Sequence, residues 1–267
     1  AEGFLIRGTG YNKGRMLRVL MDNGAQTAAD ADQCHAIAID ARSPKCDGGI
    51  ATRVDCVIYS IMVNRQAKRF YDEGEDIWPK RYAIWGRLLA KQEDQIGYGI
   101  VDAKVNDLFM PSMYPPIKAD SIRELAEKLE LDPDTLENTV AEYNAACRQG
   151  ENKDKEFKPE VLDGLSTEGL TPPKTNWAQT IDTPPYYGYP LKTGITFTYL
   201  GVKVDKEARV QFKEADGRVV PAANIFAAGE VISGNILGQG YAGGVGMAIG
   251  MVFGRIAGEG AARNVSN

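Results

Sequence analysis

The sequence predicts a mixed fold, α/β plus α+β, in which short strands and helices alternate with long loops. Three observations support this class. Apolar residues repeat at helical spacing in residues 120–149, and short runs rich in β-branched residues occur elsewhere. A polar, proline-rich stretch covers residues 151–194. With 267 residues, 43% of them hydrophobic, the chain can bury one large core or two modest ones.

Residues 11–24 are predicted to form the first helix, which Asn12 caps and Gly24 ends. Its apolar residues repeat every three or four positions: Met16, Leu17, Leu20 and Met21. Residues 34–40 follow as a short strand. Residues 54–71 are rich in β-branched and aromatic residues, and they predict a hairpin.

That hairpin is expected to turn near residues 64–66. An acidic loop comes next, and a helix is predicted through residues 88–90. On composition alone, the acidic loop is more typical of a solvated surface segment than of a functional one.

Two further helices are predicted between residues 120 and 149. Ser121 and Glu124 form a capping box at the start of the first helix. Asp132 caps the second helix, and Pro133 occupies its first position. The second helix ends near Gly150, and its predicted buried face contains Leu136, Val140, Tyr143 and Cys147.

Residues 151–194 are expected to form long ordered loops, after which strands return. We predict strands over the residues 195–205, 208–212 and 223–230, with turns at 205–207 and 216–217. The third of these strands is expected to be buried. A final helix is predicted from Val245 to about Ala262.

The closing segment contains GQGYAG, which is a literal G-x-G-x-x-G. A dinucleotide-binding loop lies between a strand and a helix and leads to a second strand, and this context is missing here. Four glycines in the final helix are spaced by four residues, which predicts close approach to a neighbouring element: Gly246, Gly250, Gly254 and Gly258. The amino end of this helix would favour an electron-rich partner.

Composition argues against several other functions. The net charge of −5 disfavours nucleic-acid binding, which needs clustered positive charge. The four cysteines lack a C-x-x-C pair, so we expect neither a disulfide framework nor a metal site. A reducing, cytoplasmic location is therefore predicted, and the apolar segment from Tyr241 to Ile256 is too short and glycine-rich for a membrane span.

Several motifs together resemble the succinate dehydrogenase/fumarate reductase flavoprotein family, and within it the FAD-dependent tricarballylate dehydrogenases. They are RGTGYNKG, QCHA, KRFYDEGEDIWPKRYAIWGR, LDPDTLENTVAEYNAA, GITFTYLGVKVD and NIFAAGEVISGNILGQGYAGGVGMAIGMVFGRIAG. The resemblance implies an incomplete glutathione-reductase-like FAD domain with an inserted capping domain. It assigns residues 1–33 and 195–267 to the FAD domain and residues 34–194 to the capping domain. The amino-terminal FAD-binding segment is then expected to be absent from this chain.

The resemblance also implies roles for individual residues. Glu230 would contact FAD, although a solvated or helix-capping glutamate is the simpler interpretation of that position. The flavin ring would meet the start of the final helix, at Gly244, Val245, Gly246 and Met247. His35 would contact the substrate, and Thr198 would help to position it.

Arg81 matches the arginine that carries a proton to or from the substrate carbon, with Lys80 as the competing assignment. Because arginine is normally locked in its charged form, this role needs acids nearby. The candidates are Asp72, Glu73, Glu75 and Asp76. Tyr241 is the second candidate for the proton carrier.

Three positions depart from the family pattern. Arg15 stands where family members often have an FAD-contacting aspartate, Phe197 where they have a second substrate histidine, and Tyr241 where they have a carboxylate-binding arginine. The loss of the histidine and the arginine disfavours succinate or fumarate as the substrate. Ketosteroid dehydrogenases of the same family have a tyrosine in a similar context.

The expected function is therefore oxidation or reduction of a C–C bond next to a carboxylate, on a tricarballylate-like substrate with FAD. A ketosteroid-type flavin dehydrogenase is one alternative, and a catalytically silent chain without bound FAD is another. The resemblance also implies two partners, a small carboxylate and, as in the tricarballylate system, an iron–sulfur membrane protein that accepts the electrons. The chain itself has no cysteine set of the kind that binds a cluster.

Overall fold

A computed structural model describes residues 2–46, 51–147 and 157–265. The predicted end of the second helix, near Gly150, lies outside these residues. The chain divides into two units. Unit 1 contains Ala1–Gly8 and Ala36–Gly194, and unit 2 contains Thr9–His35 and Ile195–Asn267. These boundaries lie close to the predicted ones at 33/34 and 194/195, except that residues 2–8 cluster with unit 1.

The described residues form ten strands and six α-helices, so the mixed class predicted from the sequence is confirmed. The strands are β1 (Leu5–Ile6), β2 (Thr27–Ala28), β3 (Cys34–Asp40), β4 (Ile61–Val63), β5 (Ile96–Asp102), β6 (Ile117–Ala119), β7 (Tyr186–Thr198), β8 (Gly201–Val202), β9 (Arg209–Lys213) and β10 (Val219–Phe226). The helices are α1 (Arg15–Asp22), α2 (Trp78–Arg81), α3 (Trp85–Ala90), α4 (Ile122–Lys128), α5 (Pro133–Ala146) and α6 (Val245–Val265).

Unit 1 is built on a six-stranded sheet in which β7 is the central strand. The order β1-β7-β5-β4 forms the main path, and β3 and β6 also pair with β7. The pairing of β5 with β7 is antiparallel and extends from Ile96 opposite Lys192 to Asp102 opposite Tyr186. One core cluster contains α4 and α5 residues such as Leu125, Leu136 and Tyr143. A second cluster contains Trp85 and Leu89 of α3.

The caps of α4 and α5 form as predicted from the sequence. Ser121 Oγ accepts a hydrogen bond from Glu124 N, and Asp132 Oδ1 accepts one from Thr135 N at 2.8 Å. The reciprocal bond of the capping box differs in one detail. Glu124 Oε2 accepts from the backbone N–H of Asp120, one residue before the cap. The predicted buried face of α5 is confirmed.

Unit 2 contains the two-stranded sheets β9–β10 and β2–β8, together with α1 and α6. Its core consists of small and branched apolar residues: Ala25, Val202, Val204, Val210, Ile232 and Ile249. Leu17 and Leu20 of α1 pack against this core, whereas Met16 and Met21 are exposed. The predicted turns at 205–207 and 216–217 are present, closed by Asp205 and Asp216 side chains.

Several sequence predictions are corrected by the structure. Asn12 does not cap α1, because the N-cap residue is Gly14, whose left-handed φ of 67° starts the helix. The hairpin expected over 54–71 is reduced to β4 and one bridge between Val63 and Arg69, because residues 57–59 form a 3-10 turn. The chain does turn at 64–68, where Asn64 N donates to Lys68 O.

The loop predicted through residue 194 ends at Tyr186, where β7 begins. The strand predicted over 195–205 is interrupted, since β7 stops at Thr198 and β8 covers only Gly201–Val202. β10 ends at Phe226 and is mostly exposed, so Glu230 does not follow a buried strand directly. Instead it lies in a 3-10 helix, Gly229–Asn235. Among the described helices, none has the length and hydropathy needed to cross a bilayer.

Candidate functional site

His35 lies between two aromatic rings of unit 2. Its side chain is buried at the start of β3. The Phe197 ring stacks on the imidazole with centroids 5.4 Å apart and planes 9° apart. The Tyr241 ring meets it edge-on, with centroids 4.3 Å apart. This aromatic cluster of His35, Phe197 and Tyr241 stands where the family resemblance places polar substrate contacts. Neither Phe197 nor Tyr241 offers the positive charge that a carboxylate would need.

The Tyr241 hydroxyl is tied to the start of α6. Gly246 N donates a hydrogen bond to Tyr241 Oη at 3.0 Å. Gly244 has a φ of 92°, which lets the chain turn into the helix at that point. The Tyr241 ring is therefore held against the amino end of α6, and one of the N–H groups predicted to face the flavin already has a partner within the chain.

Two of the other predicted FAD contacts of unit 2 are accessible from solvent, since Met247 is 73% exposed and Gly244 is also exposed, whereas Val245 is half-buried. Thr198, the predicted substrate contact, is exposed as well. The Glu230 side chain is exposed too, yet nearby protein atoms displace some of the water around its carboxyl and raise its pKa. Arg15, which replaces the expected aspartate, is the exposed first residue of α1.

Among the described residues, three of the four glycines in the α6 stripe do not approach a neighbouring element, contrary to the sequence prediction, while Gly246 meets the Tyr241 hydroxyl. A Cβ added at Gly250, Gly254 or Gly258 would meet no atom within 4 Å among the described residues. The close approach occurs instead at Gly260, where a Cβ would lie 2.6 Å from Phe226 Cε1. The open backbone and the exposed helix start have the shape to accept a flat ring, so the residues present fit an FAD contact here.

Arg81 lies in unit 1, at the last position of α2. Its guanidinium pairs with the Glu75 carboxylate through Nη2 and Oε1. The second oxygen of Glu75 accepts a hydrogen bond from the Tyr71 hydroxyl at 2.8 Å. Burial and the bond to Glu75 raise the pKa of Tyr71. The three side chains form a continuous chain of proton-bearing groups that ends at Arg81.

The competing residue, Lys80, points to a different carboxylate. Its Nζ lies 3.3 Å from Asp76 Oδ2, and its side chain is 58% exposed. The pKa of Asp76 is lowered, chiefly because its carboxylate accepts the backbone N–H of Ile77. Asp76 and Lys80 thus form a surface pair of the kind that contributes little to stability.

The remaining two candidate acids hold the loop together. Asp72 Oδ1 accepts from Gly74 N at 2.8 Å and from Thr175 N at 3.0 Å. Glu73 is buried, pairs with Arg69, and accepts the backbone N–H of Met62 at 2.7 Å. Of the four acids named from the sequence, Glu75 is therefore the one whose carboxylate reaches Arg81.

Sequence reasoning missed two features around this loop. Lys174, taken for a loop residue, is fully buried, and burial lowers its pKa to about 8. Its Nζ donates to Ser60 O at 2.7 Å. Asp55, in the segment predicted as a hairpin strand, contacts Arg53 and Trp78. The Lys174–Ser60 and Asp55–Trp78 contacts could not be found from local pattern, because the partners are 114 and 23 positions apart in the sequence.

Comparisons with known proteins support the resemblance. A family described as "FAD binding domain" matches residues 14–246. NADH:acrylate oxidoreductase from Vibrio harveyi is 32% identical over 207 residues, which cover 75% of this chain and 18% of that protein. 3-Oxosteroid 1-dehydrogenase from Mycobacterium tuberculosis is 31% identical over 202 residues, which cover 69% of this chain and 35% of that protein.

A solved structure of the open conformation of a flavocytochrome c3 fumarate reductase has the same fold. Its TM-score is 0.65 at 21% identity, and the match covers 99% of this chain and 42% of that one. The chain thus spans less than half the length of each of these relatives. Since the family match extends over most of the chain, the protein belongs to the FAD binding domain family, with relatives in the fumarate reductase group of flavoproteins.

Proposed function

We propose that this chain handles the substrate in a flavin-dependent oxidoreductase that adds or removes hydrogen across a C–C bond beside a carboxylate or carbonyl. One observation carries the proposal: Tyr71, Glu75 and Arg81 form a chain of proton-bearing groups. A guanidinium alone is a poor proton carrier, because it stays charged at any ordinary pH. A carboxylate and a phenol behind it supply a route by which a proton can be replaced or removed.

FAD, when bound, supplies the chemistry of hydride transfer. In this chain we propose that Glu230 and the start of α6, Gly244–Met247, hold it. The exposure of these residues and the open backbone of α6 support that assignment. The Tyr241–Gly246 hydrogen bond would keep the helix start in place while the ring is bound.

Arg81 would move the second hydrogen as a proton. In the reducing direction, an Nη2 proton passes from Arg81 to the substrate carbon, and Glu75 passes a proton from the Tyr71 hydroxyl to Arg81. Tyr71, which is partly exposed, then takes a proton from water. In the oxidising direction, each of these transfers is reversed. We assign this role to Arg81 rather than Lys80, because the ammonium of Lys80 pairs with Asp76 and is well solvated.

His35 and Thr198 would position the substrate. We propose a small carboxylate of the tricarballylate type, since the cationic WPKR segment of α2 suits an anion. The aromatic cluster of unit 2 offers an uncharged surface, because Phe197 and Tyr241 carry no positive charge. We further propose that the electrons are exchanged with an iron–sulfur membrane protein.

The central test compares three variants in the flavin-loaded protein. Arg81→Gln should lower kcat at least about a hundredfold, which is the usual contribution of a general acid or base. Lys80→Gln is the matched control, since it removes the neighbouring cation, and it should retain most activity. Tyr241→Phe measures the contribution of the second candidate. Full activity in both Arg81→Gln and Tyr241→Phe would refute this mechanism.

A ketosteroid-type dehydrogenase is the second candidate, and it is favoured by Tyr241. In that reaction the Tyr241 hydroxyl, rather than Arg81, would carry the proton, and the aromatic cluster would suit an apolar ring. Turnover of tricarballylate against a 3-oxosteroid separates the two. Steroid turnover that is lost in Tyr241→Phe but kept in Arg81→Gln would support the second candidate.

A third possibility is that this chain by itself binds no FAD and is silent. Purified chain that carries flavin absorbance in stoichiometric amount would exclude it. A colourless chain that stays colourless after incubation with FAD would support it, and the proton-transfer roles would then have to be tested in a longer protein.

A further inference from the structure

The position of Arg81 depends on the first turn of a longer helical segment. α2, Trp78–Arg81, has no side-chain cap, and it continues directly into the 3-10 turn Tyr82–Ile84 and then into α3. The ends of helices fray. The geometry of the guanidinium therefore depends on the contacts that hold this first turn to the rest of unit 1.

One carboxylate oxygen supplies the main side-chain anchor. Asp55 Oδ1 accepts a hydrogen bond from the Trp78 indole N–H at 3.1 Å. The same oxygen accepts from Arg53 Nε at 2.7 Å. Both side chains of the ion pair are largely buried, with 20% and 18% of their surface exposed. The charge on Asp55 therefore strengthens the bond to Trp78, because charge-assisted hydrogen bonds are stronger than neutral ones.

The same ion pair also meets the residue after α2. The Arg53 guanidinium lies over the Tyr82 ring, 4.5 Å from its centroid, within cation–π range. The Trp78 and Tyr82 rings are 6.2 Å apart. Trp78 begins α2 and Tyr82 directly follows Arg81. The ion pair therefore contacts a side chain on each side of this turn, Trp78 through Asp55 and Tyr82 through Arg53. We call these four residues the α2 clamp: Arg53, Asp55, Trp78 and Tyr82.

We propose that Asp55 is a positioning residue, which acts through Trp78 and Arg53 to hold Arg81 in the geometry that proton transfer needs. This inference rests on the proposed function of Arg81. Asp55 contacts neither Arg81 nor Glu75 in any described hydrogen bond, so its effect on the reaction is indirect. Loss of the clamp should displace α2, and a displacement of about 1 Å can cost up to about a hundredfold in rate.

The first experiment measures turnover in the flavin-loaded protein. Asp55→Ala should lower kcat about tenfold or more, with little change in KM, because substrate binding does not use the clamp. In an Arg81→Gln background, the same change should cause no further loss. A merely structural role would lower the residual rate in both backgrounds.

Asp205→Ala is the matched control. It removes a carboxylate of similar burial, 17% exposed, that also pairs with an arginine, Arg209, but lies in unit 2. We expect its kcat to stay within about twofold of the unmodified protein, because Asp205 closes the turn before β9 and, among the described hydrogen bonds, contacts none of the proposed proton-transfer residues.

The second experiment detects the clamp without turnover. The chain has three tryptophans, so three indole N–H signals are expected in a nitrogen–proton correlation spectrum. The signal missing from Trp78→Phe identifies Trp78. In Asp55→Ala, this signal should shift, whereas those of Trp85 and Trp177 should stay in place.

If Asp55→Ala fails to fold, Trp78→Phe still tests the inference, because it removes the indole N–H and keeps an aromatic ring. It should lower kcat in the same direction, and the double variant should lose less than the product of the two single losses. Normal kcat in both single variants would overturn the inference. If Arg81→Gln itself keeps full activity, the proposed function fails instead, whatever the spectra show.

Discussion

Glu73 and Glu75 are two positions apart in the chain, and their side chains have opposite environments. Glu73 is buried and is paired with Arg69, whose guanidinium also donates to Pro172 O at 2.6 Å. Glu75 is about one-third exposed and pairs with Arg81. One acid therefore fixes the loop to the interior of unit 1, while the other stays accessible at its surface.

This difference predicts separate effects of two similar substitutions. Glu73→Gln should lower the free energy of unfolding by about 3 kcal/mol, because it leaves Arg69 as a buried charge without its partner. Glu75→Gln should change it by less than about 1 kcal/mol, since exposed pairs contribute little. Urea denaturation of both variants checks the prediction, and equal destabilisation would contradict it.

The sequence could name these acids but could not choose among them. The acids from Asp72 to Asp76 follow no helix or strand period that would predict which carboxylate is buried. The choice depends on Met62 N, Arg69 and Thr175, which lie on other segments. His35 and Tyr241 illustrate the same limit, because both were expected at the site, but their ring contact follows from tertiary structure alone.

At the scale of elements, local signals predicted the helices better than the strands. Each cap of α4 and α5 depends on residues within four positions of one another, and both caps form where the sequence predicts them. The sequence predicts loops through residue 194 because residues 151–194 are polar and proline-rich, yet β7 already begins at Tyr186 and includes Pro190. The structure accommodates this proline in the strand, opposite Tyr98, and uses its carbonyl to accept Ala41 N. Such a register depends on neighbouring strands and cannot be seen locally.

The glycines of α6 give a matched pair of predictions. Gly254→Ala should stabilise the chain by about 0.5–1 kcal/mol, because alanine is the better helix former and its Cβ would meet open space. Gly260→Ala should destabilise it, since a Cβ there would lie 2.6 Å from the Phe226 ring. Thermal unfolding of the two variants tests both signs. Destabilisation by Gly254→Ala would mean that another surface covers this face of the helix.

At the scale of the whole molecule, the division of the chain into two units follows tertiary contacts rather than the order of segments along the chain. Each unit is assembled from two separate stretches, and the structure places residues 2–8 with unit 1. No composition change marks that assignment, because it arises from pairing of β1 with β7 and from the bond between Ile6 N and Lys45 O.

Global stability should depend on pH through Lys174. Burial lowers its pKa from 10.5 to about 8 in the folded chain. Between these values the unfolded chain binds more protons, so the free energy of unfolding increases with pH over this window. Below about pH 8 both states are protonated, and the full cost of the buried charge, roughly 3 kcal/mol, remains.

The measurement compares the unmodified chain with Lys174→Met by urea denaturation across this pH window. The unfolding free energy of the unmodified chain minus that of Lys174→Met should increase as the pH rises, since Lys174 becomes neutral in the folded state. A difference that does not change with pH would contradict the buried charge.

The open face of α6 has a consequence for amide hydrogen exchange. Five glycines lie within this helix, and few of its side chains are buried, so local opening requires little free energy. Its amides should then exchange faster than those of α5, which buries four side chains. Any ring, segment or second molecule that binds to the glycine face would slow that exchange, and the slowed amides would identify the residues of α6 that it covers.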